Sequence, residues 1–164
     1  MRYAQLRKYD VANGEGIRAT IFVTGCTHNC PNCFNGAYQD FQFGKVWDDE
    51  ATRTIIEYLK DPVVSGLSLL GGEPMQNTEL IHVVREIKKV VNKNIWVYSG
   101  YTYEQILANE KRKALLEECD VLVDGLFVQA LYDIRLKFRG SSNQRIIDIK
   151  QSLAKGEVVL HEIQ

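Results

Sequence analysis

Four short apolar, largely β-branched runs separated by amphipathic stretches restrict the fold of this chain more than any other feature. The first spans residues 19–25 and reads Ala-Thr-Ile-Phe-Val-Thr-Gly; the others are Gly66–Gly71, Ile95–Ser99 and Cys119–Asp124, the last closed by Gly125. Runs of this length without alternation mark strands buried on both faces. Between them the apolar spacing turns helical. Ala51, Ile55, Ile56 and Leu59 follow an N-cap at Asp48 or Asp49 and precede an Asp61-Pro62 stop. Leu80, Val83, Val84, Ile87 and Val91 share one helical face, and Tyr103 to about Glu118 is helical, in two pieces around Asn109. Alternating strands and helices imply right-handed crossovers and a mostly parallel sheet. A complete eightfold βα barrel takes about 250 residues. The chain has 164. An incomplete TIM-like barrel, open on one side and forming a single domain over 1–164, is therefore expected. The tail from Gln151 to Gln164 fits a helix or a strand equally.

In such a sheet, sites collect at the C-terminal ends of the strands. Three of the four cysteines lie there, in Cys26-Thr-His-Asn-Cys30-Pro-Asn-Cys33, directly after the first strand. Asn29, Pro31 and Asn32 let the backbone curl, so three sulfurs can converge on one centre. Soft thiolates select zinc, copper(I) or iron-sulfur clusters. A structural zinc takes four protein ligands, and His28 or Cys119 would have to complete one here. Three thiolates and a vacancy instead describe a metal centre that must bind something else. On the triplet alone both readings stand. Gly71-Gly72-Glu73-Pro74, Tyr98-Ser99-Gly100-Tyr101 and Asp124-Gly125 share the same rim.

Charge excludes little but points away from polyanions. Lys plus Arg total 20 against 21 Asp plus Glu, so no net field favours nucleic acid or an acidic membrane surface. No run is long and apolar enough for a secretory signal or a membrane span, which points to a cytoplasmic chain. In that compartment four cysteines serve as ligands or buried thiols rather than as disulfides.

With these motifs in place, the chain resembles the radical S-adenosylmethionine enzymes. More narrowly, it resembles the activases of the anaerobic ribonucleoside-triphosphate reductase. The stretches that carry the likeness are Asn13–Arg18, Phe22–Cys26, the cysteine triplet, Gly71–Pro74, Ile95–Tyr101, Asp120–Gly125 and Phe138–Arg145, and they cover most of the chain in order. The resemblance implies a [4Fe-4S] cluster held by Cys26, Cys30 and Cys33. Its fourth iron would chelate the amino and carboxylate groups of S-adenosylmethionine. Gly71 and Gly72 would let the backbone approach that cofactor. Glu73 would accept from its amino group. Asn32 and Phe34 would lie against the adenine, and Ser99 and Asp124 would contact the methionine or ribose portion. The activity implied is reductive cleavage to a 5′-deoxyadenosyl radical that takes a hydrogen from a glycine of the large reductase subunit. The electron would come from a donor such as flavodoxin. A different glycyl radical enzyme or a small molecule is the alternative target, and a zinc-stabilised binding module the alternative class.

Two positions depart from the family pattern. Gly14-Glu15-Gly16 stands where Gly-Pro-Gly is usual, and Asn32, not an aromatic residue, precedes the third cysteine. Trp47 and Trp96 read as packing residues, Cys119 as a buried thiol, and His82 and His161 carry no signal. The Arg139 to Arg145 stretch reads either as a solvated turn or as a docking element for the partner subunit.

Overall fold

The computed structural model describes residues 1–30, 33 and 36–163. The strands are β1 (Arg2–Asp10), β2 (Arg18–Val23), β3 (Lys45–Val46), β4 (Gly66–Gly71), β5 (Asn94–Tyr98), β6 (Val121–Asp124) and β7 (Arg145–Asp148). The helices are α1 (Asp49–Lys60), α2 (Leu80–Lys88), α3 (Tyr103–Leu107), α4 (Glu110–Glu117) and α5 (Ile149–Lys155). One sheet holds all seven strands in the order β3-β1-β2-β4-β5-β6-β7. Its edge strands, β3 and β7, do not pair with each other, so the sheet is not closed.

The four runs read as buried strands are the four central ones, and they pair in parallel. Both flanks are antiparallel: β1 on β2, β3 on β1, and β7 on β6. The flanks differ because their connections differ. Crossovers through α1, α2 and the α3–α4 pair force parallel neighbours, whereas 11–17 and 125–144 return the chain without a crossover helix. The helix ends follow from local chemistry. Asp48, not Asp49, caps α1 by accepting from the Ala51 N–H at 2.9 Å. Asn109 divides the third helical stretch, capping α4 through the Arg112 N–H. The tail begins as a helix: α5 ends at Gly156 in the left-handed region, and Leu160 then makes a single isolated bridge to Ile147.

The sheet's two faces are unlike. Ala19, Ile21, Leu67, Leu69, Ile95, Val97, Leu122 and Ile147 project with the helices into the main apolar core. The alternate residues include Trp96, Val121, Val123 and Ile146, which form a second small cluster on the other face. That face also carries a polar network. Arg18, 1% exposed, donates to Ser68 Oγ at 2.7 Å, Leu67 O at 2.9 Å and Asn94 Oδ1 at 2.7 Å, and its guanidinium lies 5.5 Å from the Trp96 ring centre. It thereby ties the starts of β2, β4 and β5 together. Burial pulls its pKa down to about 10 against the raising fields of Glu15, Asp10 and Asp120, so it stays charged at neutral pH. On β1, Asp10 accepts from the Ala12 N–H, Asn13 Nδ2 and Thr20 Oγ1 at 2.7–2.8 Å. Burial alone would raise its pKa, but the Asn13, Ala12 and Thr20 hydrogen bonds together outweigh it and hold the carboxyl below its ordinary value.

A carboxyl whose pKa is lower in the folded state contributes stability above its unfolded pKa and loses it as pH falls. The native protein should therefore lose stability as pH drops through about 4, the ordinary carboxylate range. Asp10→Asn should be less stable at neutral pH and show a flatter decline through that range. Urea unfolding midpoints across pH measure both effects.

Candidate functional site

Part of the expected rim shares one cavity. Cys26, Cys30 and Cys33 line a cavity of about 150 Å³ together with Gly71, Gly72, Glu73, Ser99 and Gly125, at the C-terminal ends of β2, β4, β5 and β6. Asn32 and Phe34, expected against the adenine, lie outside the described residues. Asp124 does not line this cavity. It faces a neighbouring one of about 510 Å³, which shares His28, Gly100 and Gly125 with the first.

The glycines of the 71–72 pair are explained first by packing. Gly71 has φ +115°, and a Cβ there would stand 2.3 Å from Val23 O; a Cβ on Gly72 would stand 2.6 Å from Gly25 O. The end of β4 thus lies directly on the start of the cysteine loop, with the Gly72 N–H donating to Val23 O and the Glu73 N–H to Gly25 O, both at 2.8 Å. Any side chain would push the two apart.

Glu73 is 1% exposed, and its carboxylate is a junction. Oε1 accepts from the Gly100 N–H at 2.7 Å and lies 2.7 Å from His28 Nε2; Oε2 accepts from the Met75 N–H at 2.8 Å. A carboxylate only accepts, so His28 presents its proton on Nε2 and cannot offer that nitrogen to a metal. Gln76 extends the same scaffold. Its amide exchanges hydrogen bonds with Thr27 N and Oγ1 and donates to the Tyr101 hydroxyl. Arg112 stacks 3.9 Å over the Tyr101 ring centre and bonds its hydroxyl at 2.8 Å. Thr27 and His28, at the start of the cysteine loop, are therefore positioned by residues that follow β4 and β5. His28 had been weighed only as a zinc ligand, and Gln76 and Arg112 stand outside every motif; nothing local to their sequence places them here.

Ser99 accepts from the Tyr101 N–H at 3.0 Å and shapes the turn after β5. Asp124, buried, accepts from the Tyr103 N–H at 2.7 Å and from Arg145 Nη2 at 2.6 Å and Nε at 3.1 Å. Arg145 also reaches Glu104 at 2.7 Å, and these two carboxylates, Asp124 first, raise its pKa further. The 139–145 stretch is accordingly a folded bracket. Gln144 ties it to the Gly125 carbonyl at 3.0 Å, and Asn143 ties it to the Leu126 carbonyl at 2.8 Å.

Among the described residues no three His, Cys, Asp or Glu side chains are grouped closely enough to hold a metal ion. The thiols share the cavity wall and are not drawn onto one centre. Burial pushes Cys26 up to about 11 and raises Cys30, where the Cys33 thiol adds to the effect. The His28 and Phe127 backbone N–H groups act in the opposite direction on Cys26 and Cys30. Cys119 is 0% exposed, donates weakly to Leu115 O at 3.4 Å, and is pushed by burial to about 12. It is a core thiol on the helix side. The cavity wall carries the three thiols, the His28 and Glu73 side chains, and glycine backbone. With His28 Nε2 turned to Glu73 and Cys119 buried in the main core, neither residue is placed to complete a four-ligand zinc site with the three thiols.

A model of the "4Fe-4S single cluster domain" family matches residues 12–147. The chain is 41% identical over 152 residues to the anaerobic ribonucleoside-triphosphate reductase-activating protein of Haemophilus influenzae, covering 89% of this chain and 97% of that one. The protein of the same name from Vibrio cholerae is 40% identical at the same coverage, and that of Escherichia coli K12 is 35% identical over 150 residues, 88% of this chain and 96% of its own. The chain belongs to this activating-protein family. The matched segment runs from the turn before β2 to β7, so it includes the cysteine loop, the Gly71–Glu73 corner and the 139–145 bracket.

One wall residue carries an unmet group. Among the described residues, the Tyr98 hydroxyl is the one buried side-chain polar atom without a hydrogen-bond partner, and burial raises its pKa. An unsatisfied buried hydroxyl costs on the order of 1–3 kcal/mol. Tyr98→Phe should leave thermal stability unchanged or raise it. Glu73→Gln, by contrast, turns an amide donor toward Gly100 N–H or Met75 N–H and should cost about 2 kcal/mol. Calorimetric unfolding of the two variants reads both outcomes.

Proposed function

We propose that the chain activates the anaerobic ribonucleoside-triphosphate reductase by reductive cleavage of S-adenosylmethionine, producing a glycyl radical on the large reductase subunit. The observation that carries this reading is the shared cavity: three thiols and the Gly71-Gly72-Glu73 corner meet at the ends of the parallel strands. Cys26, Cys30 and Cys33 would hold three irons of a [4Fe-4S] cluster, and the unfilled coordination site would take the amino and carboxylate groups of S-adenosylmethionine. When bound, the cluster supplies the electron that splits the sulfonium into methionine and the 5′-deoxyadenosyl radical.

The remaining chemistry belongs to the protein. Gly71 and Gly72 present bare backbone to the cavity. Glu73, with three of its acceptor positions filled, fixes the His28 and Gly100 walls and keeps one lone pair for the cofactor's ammonium. Ser99, which shapes the turn after β5, would lie beside the methionine portion, and Asn32 and Phe34 would supply the adenine contacts. Asp124 sits at the site's edge, where it anchors the end of β6 through Arg145 and Tyr103. Such positioning favours transfer of the radical to one hydrogen and excludes competing reactions. The reading extends to a single domain over 1–164, a sheet curved as a partial barrel, a cytoplasmic setting, a flavodoxin-type electron donor, and no nucleic-acid partner. No helix among the described residues is long and apolar enough to cross a membrane.

Anaerobic reconstitution, reduction and addition of S-adenosylmethionine with the large subunit should yield 5′-deoxyadenosine and a glycyl radical in the electron paramagnetic resonance spectrum. Cys30→Ala should fold with a native thermal midpoint and yield neither product. Cleavage with no radical on the subunit would redirect the reading to another substrate. One tightly held zinc and no iron would end it.

A further inference from the structure

Five of the exposed large hydrophobic residues crowd into one short stretch: Leu126, Val128, Leu131, Tyr132 and Ile134, with Ile134 at 84% exposure. This segment is held in place. Tyr132 bridges to Ser141, the Ser142 N–H donates to Leu131 O at 3.0 Å, the Asp133 N–H to Gly140 O at 3.3 Å, and the Val128 N–H to Ser141 Oγ at 3.2 Å. It forms an arm folded against the 139–145 bracket, with its apolar side chains presented at fixed positions and little left to order on binding.

The arm roofs the cavity next to the cysteines. That cavity, about 440 Å³, has Phe22, Leu70 and Tyr98 of the sheet on one side and Phe127, Tyr132, Ile134, Leu136 and Phe138 of the arm on the other. It shares Leu70, Tyr98, Phe127 and Gln144 with the cysteine cavity, so the two are contiguous. Arg7 and Arg139 also line it, and among the described residues neither lies within ion-pair distance of a carboxylate. Arg7 already donates from Nε to Gln5 Oε1 and Arg139 from Nη1 to the Ser142 and Gln144 carbonyls, and their remaining N–H groups suit the carbonyls of an extended backbone.

We propose that the 126–139 arm is a peptide clamp: it holds an extended segment of the activated subunit, with apolar residues beside the glycine packed on Tyr132 and Ile134 and the glycine directed to the shared wall at Leu70 and Phe127. The occupant is a peptide because it must bring a backbone Cα–H to the cysteine cavity, and it is apolar beside the glycine because the walls and the rim are. This assignment rests on the proposed function.

Fluorescence anisotropy of a short labelled peptide containing the subunit's glycine and its neighbours, titrated with the reconstituted protein without reductant, tests the clamp before any turnover. Ile134→Asp should weaken peptide binding roughly tenfold, equivalent to about 1.4 kcal/mol. It should also raise the KM for the intact subunit while the thermal midpoint stays native. Lys155→Asp, on the far end of α5, should change none of these. Equal affinity of native protein and Ile134→Asp, with equal KM, would overturn the clamp. Absence of S-adenosylmethionine cleavage by the native protein would instead overturn the functional reading, whatever the peptide does.

Discussion

The buried carboxylate of Glu73 is the interaction on which the rest of the site depends. It gathers the N–H groups at the ends of two successive turns, those of Met75 and Gly100, and the imidazole of the cysteine loop. A buried charge is tolerable only when its lone pairs are filled. Here filling them requires the loops after β2, β4 and β5 to meet at one point. The glycine pair before Glu73 makes that meeting possible, because the end of β4 lies on the Val23 and Gly25 carbonyls at a distance no side chain permits. Thr27 and His28 are therefore held by protein contacts alone.

The opposite end of the sheet is tied in a complementary way. Arg18 joins the starts of the same three strands through backbone carbonyls and neutral side chains, not through a direct ion pair. A buried cation at the strand starts and the buried carboxylates Glu73 and Asp124 at the strand ends bracket the parallel strands. Between them the two faces diverge: the helix side carries the main apolar core, while the other side is polar at Asp10, Asn13 and Ser68 and hollow beside Tyr98. The hollow face borders the cysteine cavity. An unpartnered phenol and a cavity are costs that a purely structural face would not carry, which is consistent with natural proteins storing local misfit at working sites.

Much of the architecture was legible because burial on both faces leaves an unambiguous apolar run. The four central strands, the three helical crossovers and the Asn109 break appear in the sequence at nearly their structural limits. β1, β3 and β7 were not legible. β1 is mixed in polarity and only partly buried, β3 is an exposed pair of residues, and β7 is short and flanked by polar turns. Antiparallel edges depend on connections and neighbours, and no periodicity of their own announces them. The site showed the same division. The three thiols, the glycine corner and Glu73 could be read as one rim. That Glu73 is already engaged by His28 and Gly100, and that Asp124 turns toward Arg145 and away from the thiols, could not.

By itself the sequence determined which residues could carry the chemistry, since soft ligands at close spacing after a buried strand, followed by glycines at the end of the next, restrict the options through ligand type and backbone freedom. It also determined the parallel centre of the sheet, because crossover helices leave consecutive strands no other arrangement. The tertiary structure alone decided which of those residues share a cavity and which serve as scaffold. It also set the 126–139 arm beside the cysteines. Those outcomes depend on long-range contacts such as Glu73 with Gly100, Arg145 with Asp124 and Gln76 with Thr27, whose partners are distant in the chain and come together only once the sheet has formed.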